Sequence, residues 1–379
     1  MVTYLTGFNP YIYPRPFLFK RCCGAKIYRL RTFLGHYRNP QRQFQPPATP
    51  TASKTGRRYR GDPLKRVYPC QRIDGTTLLD ALAYEYLYYP YVKELANDVV
   101  ITLNTSGVLA ARWAGRRVVV DLMDLWHCDR EDVAFNAVDF AAFRRADCVI
   151  AWSRAIQTLL KSYGLKCVEY LPFGIDLEVF DPLKAPKNLI YEKYPQLEGK
   201  TIIGYSGGMW YVGGIERIGV EKILKAFKAI EKDEKDIVLV MQTHPSIQRI
   251  AKELNIKNFI YIPMTKFNDI YRLSLLRNID IKIITSTKFL PVYLAERSSM
   301  FQFMANGGAI LAEDTPGVRA VLKHEYNAYI VRLNDIEDMS NKLKILIKKI
   351  TSEKTSARMQ EMISRINIVG EYYKDMQMK

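Results

Sequence analysis

No stretch of the 379-residue chain holds the run of about 18 apolar residues that a transmembrane helix needs, so no membrane span is expected. The opening residues, MVTYLTGFNPYIYPRPFLFK, lack the basic stretch followed by an apolar stretch that marks a secretory leader. Cysteine is sparse and scattered, at Cys22, Cys23, Cys70, Cys128, Cys148 and Cys167, with no CxxC pair. That argues against zinc ligation and, at this size, gives no sign of a disulfide framework. Cys148 and Cys167 lie in apolar runs and are expected as core thiols. These absences read as a cytoplasmic protein. Acids do not cluster in a metal-binding pattern either. Asp335-Ile336-Glu337-Asp338 opens an amphipathic segment, where acids complement a helix dipole, so no metal site is expected.

Acids are scarcest at the amino end. Residues 1–75 carry 15 Lys and Arg against Asp62 and Asp74, or +13 of the total +17. Such a bias speaks to partners rather than to fold. The candidates are an anionic membrane surface, an anionic acceptor or nucleic acid. Within this segment, residues 31–64 are rich in Pro, Thr, Arg and Gln and have no apolar period, which reads as a long loop or insertion.

What is abundant is alternation. Short apolar runs bounded by turn residues recur with helix-period segments between them, the pattern of a doubly wound parallel sheet. A first series is expected over strands Val2–Thr6, Ala25–Leu30, Asp98–Leu103, Arg117–Leu122, Cys148–Trp152 and Lys166–Leu171. A helix over Thr76–Tyr89 is expected to stop near Pro90. A second series runs over Thr201–Ser206, Ile237–Met241, Phe259–Ile262, Ile279–Thr285, Ala309–Ala312 and Ala328–Arg332. We therefore expect an amino-terminal domain over 1–178 and a second over 179–350. A polar helix over 351–379 is expected to return toward the first.

Ligands in such sheets bind outside the carboxyl ends of the strands. Two segments sit at such ends. Gly204-Tyr205-Ser206-Gly207-Gly208-Met209, followed by Gly213-Gly214 and then Arg217 and Gly219, reads as a backbone able to approach a phosphate, or as a turn that needs positive φ. Arg297-Ser298-Ser299 opens a helix, and helix N-termini are anion sites.

The segment Gln302-Phe303-Met304-Ala305-Asn306-Gly307 and the turn Thr315-Pro316-Gly317 resemble the carboxyl half of the retaining glycosyltransferases of the GT-B fold, family four. The run Asp147-Cys148-Val149-Ile150 to Ser153, then Tyr163-Gly164 and Pro172-Phe173-Gly174-Ile175-Asp176, is similar to that family's approach to its interdomain crossover. The resemblance implies an α/β protein of GT-B architecture, with two Rossmann-like domains whose parallel sheets face a central cleft. It implies transfer of a sugar from a nucleotide-activated donor to an acceptor, lipid-linked or a glycan, with retention and without a metal. No cofactor is implied beyond the nucleotide-sugar donor, which is a substrate.

The same resemblance assigns roles. Gly207, Gly208, Arg217, Arg297, Ser298, Ser299 and Gln302 would hold the donor. Asp124 or His127 would meet the acceptor or the transferred sugar, one of them taking a proton, unless the acids here cap a helix over Glu131–Arg145. The chain departs from the pattern in several places. The family's paired acids are Leu294 and Gln302 here, and its Arg and Lys of the Gly-rich loop are Gly208 and Ile218. Either Glu296 substitutes for the missing acid, or sugar recognition differs, or the enzyme is impaired.

Two other classes stay open. One is a binding or scaffold protein on a transferase-like fold, which Leu294 and Gln302 favour. The other is a nucleic-acid binder using the basic segment, whose aromatics Tyr28, Phe33, Tyr37, Phe44 and Tyr59 lie among its charges, though no nucleic-acid module accompanies it. The basic segment also suits peripheral docking at the inner face of an anionic membrane. The dense set Tyr84, Tyr86, Tyr88, Tyr89 and Tyr91 reads equally as such a contact or as packing.

Overall fold

The structure, a computed structural model, describes residues 2–6, 19, 24–29, 78–95, 97–125, 135–175, 185–212, 214–234, 236–266 and 269–352. The sequence expectations for a helix over Pro14–Cys23, the insertion 31–64, a strand at Arg66–Pro69, His127 and the helix beyond Ser352 lie outside these. Two compact units are present, one of Met1–Phe173, Trp210–Arg217 and Lys288–Glu296, the other of Gly174–Met209, Ile218–Thr287 and Arg297–Lys379.

The first unit is built on a parallel sheet. Its strands are β1 (Val2–Thr6), β2 (Lys26–Arg29), β3 (Val99–Leu103), β4 (Arg117–Leu122), β5 (Cys148–Ala151) and β6 (Val168–Tyr170), in the order β2-β1-β3-β4-β5-β6. Runs such as VVITL and RVVVDL are rich in β-branched residues and buried, as a sheet covered on both faces requires. Helices α1 (Leu78–Leu95), α2 (Val108–Trp113), α3 (Ala137–Arg145) and α4 (Arg154–Ser162) accompany it. Val100, Val120 and Val149 share one core with Tyr88 and Val92 of α1 and with Ile156 and Leu160 of α4. Asn136 caps α3 through Asp139 N at 2.8 Å, and Ser153 caps α4.

Two expectations are corrected here. Helix α1 does not stop at Pro90 but continues to Leu95. Pro90 lies on the exposed side of the helix, so the Tyr86 carbonyl that loses its partner faces water. Cys148 and Cys167 are not separate core thiols. They are joined by a disulfide, with Cα atoms 4.8 Å apart, because β5 pairs with β6 in the register Val149↔Val168 and so sets the preceding residues side by side.

The second unit holds β7 (Thr201–Ser206), β10 (Ile237–Thr243), β11 (Phe259–Pro263), β12 (Ile281–Ile284), β13 (Ala309–Glu313) and β14 (Tyr329–Val331), all parallel, in the order β11-β10-β7-β12-β13-β14. Counted within the unit this is 3-2-1-4-5-6, the doubly wound order of dinucleotide-binding folds. Helices α5 (Leu189–Lys193), α6 (Glu221–Ile230), α7 (Ile247–Glu253), α8 (Ile270–Asn278), α10 (Ser298–Ala305), α11 (Pro316–Arg319) and α12 (Ile336–Ser352) flank it. A short ribbon, β8 (Tyr211–Val212) with β9 (Ile215–Glu216), and helix α9 (Leu290–Tyr293) belong to the first unit's two later segments. Val240, Ile284, Ile310 and Ala312 pack with Leu275, Met300 and Phe303 in the second core. Asp335 Oδ1 accepts from Asp338 N at 2.8 Å, so the acidic run at 335–338 opens α12 as a cap, as its pattern suggested.

Candidate functional site

In the second unit the strand order reverses between β7 and β12, the point at which doubly wound sheets open to ligands. The two strands pair only at Ile203↔Ile281 and Gly204↔Lys282. Beyond that they are unpaired with one another, which leaves a crevice at their carboxyl ends. Gly204 is demanded by packing, since a Cβ there would lie 2.6 Å from Ile279 Cδ1.

Four groups edge the crevice. The Gly-rich loop leaves β7, with Gly207 N donating to Gln242 O at 3.1 Å and Tyr205 Oη donating to Gly208 O at 2.8 Å. A Cβ on Gly207 would crowd Tyr205 Oη, but one on Gly208 would meet nothing within 4 Å, and Gly208 does not have positive φ. The protein's own packing therefore does not require glycine at 208. Thr243, at the end of β10, and Thr285, just after β12, are fully buried, and neither Oγ1 has a hydrogen-bond partner among the described residues. Buried hydroxyls are almost always satisfied, so two orphans at one sheet edge call for an explanation. Arg297 Nη1, at the start of α10, is a third such atom.

On the other side of the crevice Gly219, at φ +80°, precedes α6. Its missing Cβ admits Lys222, which donates to Ser286 O, Asn334 Oδ1 and both oxygens of Glu313. Glu313 is fully buried and also accepts from Ser286 N and Asn334 N, each at 2.7 Å. This network fixes the loop after β12.

A cavity of about 120 Å³ opens beside the ends of β10 and β11, with Lys193, Tyr194, Gln242, Thr265, Tyr271 and Arg272 among its walls. Arg272 is buried and donates through Nη2 to Gln302 Oε1 at 2.5 Å. Burial lowers the Arg272 guanidinium to about 10, with nearby Asp269 opposing. Gln302 therefore has its amide oxygen engaged.

The remaining sequence candidates are placed as follows. Ser298 and Ser299 form the half-buried first turn of α10, which has no side-chain cap. Arg217 belongs to the first unit, half-buried, with its guanidinium 5.2 Å from the centre of the Phe289 ring. Glu296 is also in the first unit and buried, its oxygens accepting from Arg154 N at 2.8 Å and Tyr170 Oη at 2.7 Å. Burial raises its carboxyl above the usual range, while those two bonds oppose the shift. Asp124 follows β4, half-buried. Among the described residues no cluster of three or more His, Cys, Asp or Glu is arranged to hold a metal.

The sequence reading missed Lys222, Glu313, Thr243, Thr285 and Arg272. Glu313 and Thr243 were findable as polar residues ending apolar strands. Lys222 was findable as a cation one turn into the helix after Gly219. Arg272 carries no such sign.

Residues 209–363 match the sequence model described as Glycosyl transferases group 1. An uncharacterized glycosyltransferase of Methanocaldococcus jannaschii is 26% identical over 243 residues, which is 61% of this chain and 58% of that protein. The match thus spans a little over half of that relative. Among solved structures, Anabaena HepE in complex with UDP superposes with a TM-score of 0.63 at 13% identity, covering 100% of both chains. Sucrose-phosphate synthase from Thermosynechococcus elongatus gives 0.62 at 13%, covering 99% of both. The fold is α/β with two parallel sheets and matches GT-B glycosyltransferase structures, as the sequence led us to expect.

Proposed function

We propose that this protein is a retaining glycosyltransferase of family four that takes its sugar from a nucleoside-diphosphate donor. The observation that carries the reading is the crevice between β7 and β12. It lies at the topological switch point and has a glycine at 208 that packing does not require, and the orphaned hydroxyls of Thr285 just after β12 and Thr243 at the end of β10 lie at the same carboxyl edge of the sheet. A glycine without an internal reason suits a backbone that a ligand approaches closely. That HepE was crystallised with UDP and with UDP-glucose supports a nucleotide-sugar donor here.

In this reading the Gly207-Gly208 backbone, Arg297 and the first turn of α10 with Ser298 and Ser299 receive the diphosphate. Arg217 adds positive charge as the leaving group departs, so no metal is required. The family resemblance suggests Asp124, His127 and Glu296 as the residues that would meet the acceptor or the transferred sugar. Thermal shift across nucleoside diphosphates tests the donor site, since a ligand at 100 times its Kd stabilises by about 2.7 kcal/mol. Absence of a shift with every diphosphate ends the proposal. Product anomeric configuration, read by NMR against that of the donor, decides retention. Turnover that survives EDTA supports the metal-free mechanism.

A second reading, donor binding without catalysis, draws on Leu294 and Gln302. Leu294 is built into the first unit's core and the Gln302 amide oxygen is engaged by Arg272. Binding of a nucleotide sugar with no turnover would favour it. The +13 amino segment further supports peripheral contact with the inner face of an anionic membrane, where each Lys or Arg contributes about 1 kcal/mol.

A further inference from the structure

Helix α1 carries apolar side chains on its outward face as well as its inward one. Its one acid in the middle, Glu85, points inward and is 5% exposed, along with Ala81, Tyr88 and Val92. Its outward face carries Leu79, Leu82, Ala83, Tyr86, Leu87, Pro90 and Tyr91. These recur at three- and four-residue spacing, so they form one continuous stripe. Leu79 is 78% exposed, Tyr86 73% and Tyr91 52%. Between Leu82 and Tyr91 no exposed residue of the stripe is charged, and Lys93 and Glu94 close its carboxyl end.

The orientation is fixed rather than incidental. Glu85 accepts from Gly107 N at 2.5 Å and Ala110 N at 2.9 Å, capping α2. Arg116 Nη2 donates to Lys93 O at 3.2 Å. Rolling α1 to hide its leucines would expose Tyr88 and Val92 and strip α2 of its cap. A helix held so as to present apolar side chains has a use for them.

We propose that the outer face of α1 enters the headgroup–acyl boundary of an anionic bilayer. This deepens the peripheral-membrane reading above and does not depend on the donor site. The occupant follows from charge and composition. The residues that lead into α1 carry +13, which attracts an anionic surface and repels a second copy of the same segment. Leu and Tyr together suit an interface that is apolar below and wet above. No described helix is long and apolar enough to cross a membrane, so α1 lies in the plane. Charge brings the protein to the surface, and the stripe holds it there when salt screens the charge.

Flotation of the full-length chain with vesicles of phosphatidylglycerol and phosphatidylcholine, at 0.1 M and 1 M NaCl, tests this. The variant carries Leu79→Gln, Leu82→Gln, Tyr86→Gln, Leu87→Gln and Tyr91→Gln, all at exposed positions. Its partitioning should fall by about a hundredfold or more at 0.1 M. The parent should keep part of its binding at 1 M, where the Debye length is about 3 Å, and the variant none. Far-ultraviolet circular dichroism and the melting temperature check the fold. If the fivefold variant is unfolded, Leu79→Gln with Tyr86→Gln replaces it, with about a tenfold loss expected. Equal flotation of variant and parent overturns the stripe while leaving the basic segment's role intact. Light scattering that finds a dimer in the parent and a monomer in the variant overturns it in favour of self-association. Failure of the parent to float on anionic vesicles overturns both membrane readings, whereas the diphosphate thermal shift reports on the donor site separately.

Discussion

Lys222 and Glu313, 91 positions apart, form a buried ion pair in the second unit, with Nζ 2.7 Å from Oε1 and 2.5 Å from Oε2. The Lys222 side chain is 13% exposed and that of Glu313 not at all. Removing one partner of a buried pair leaves an uncompensated charge and costs about 3–5 kcal/mol. Two backbone N–H donors still serve Glu313, so Lys222→Met should cost about 3 kcal/mol by urea unfolding. Glu313→Leu added to Lys222→Met should recover part of that loss. If Lys222→Met costs under about 0.5 kcal/mol, the pair does not hold the loop after β12.

The disulfide leads to a separate expectation. Cys148 and Cys167 close a loop with a sequence separation of 19, and a bridge over a loop of that order stabilises by about 3 kcal/mol. Reduction, or Cys148→Ser, should lower stability by up to that amount. Nucleoside-diphosphate affinity should not change, because the bridge joins β5 to the start of β6 in the first unit, whereas Gly207 and Gly208 belong to the second. Intact mass under non-reducing conditions checks the bond itself, and two free thiols at these positions would show that it does not form.

These two cases mark what was legible in the chain and what was not. The strands were readable because apolar runs such as VVITL and AILAE are buried on both faces, and their alternation with helices implies parallel pairing. The Gly-rich loop and the Ser298-Ser299 turn were readable as strand-end features. The disulfide was hidden because its two cysteines are brought together by register between β5 and β6, which local patterning does not encode. The same holds for Lys222 with Glu313 and Arg272 with Gln302, which are tertiary pairs. The α1 stripe was half visible, as a tyrosine cluster. Which of its members face out depended on Glu85 finding α2.

A pH dependence follows from Lys282, wholly buried in β12, whose ammonium donates to Ile279 O at 2.6 Å and Gly307 O at 2.5 Å. Burial lowers it to about 7, opposed by Asp280. Its unfolded value is near 10.5. Between those values the unfolded chain binds the proton and the folded chain does not, so stability from this group rises with pH from about 7 to about 10.5. Lys282→Met removes the effect. The stability of the parent minus that of the variant, by urea unfolding at pH 7, 8 and 9, should climb by about 1 kcal/mol per pH unit. Parallel curves would mean that Lys282 keeps an ordinary affinity for its proton.

The glycines at the crevice separate folding from binding. Gly219 sits at φ +80°, where an L residue is strained, and its Cβ would lie 2.5 Å from Lys222 Cε and 3.1 Å from Ser286 O. Gly219→Ala should therefore cost about 1–3 kcal/mol of stability. Gly208 has neither constraint, so Gly208→Ala should change stability by less than about 1 kcal/mol, in either direction. A methyl at 208 nevertheless projects into the space that a diphosphate would occupy in the proposed site. Affinity for the nucleoside diphosphate that binds the parent should then fall about tenfold or more by calorimetry, a loss of about 1.4 kcal/mol. Only a ligand contact predicts a large binding defect at a position where the fold is indifferent. Unchanged affinity in Gly208→Ala would place the diphosphate elsewhere and remove the observation on which the donor site rests.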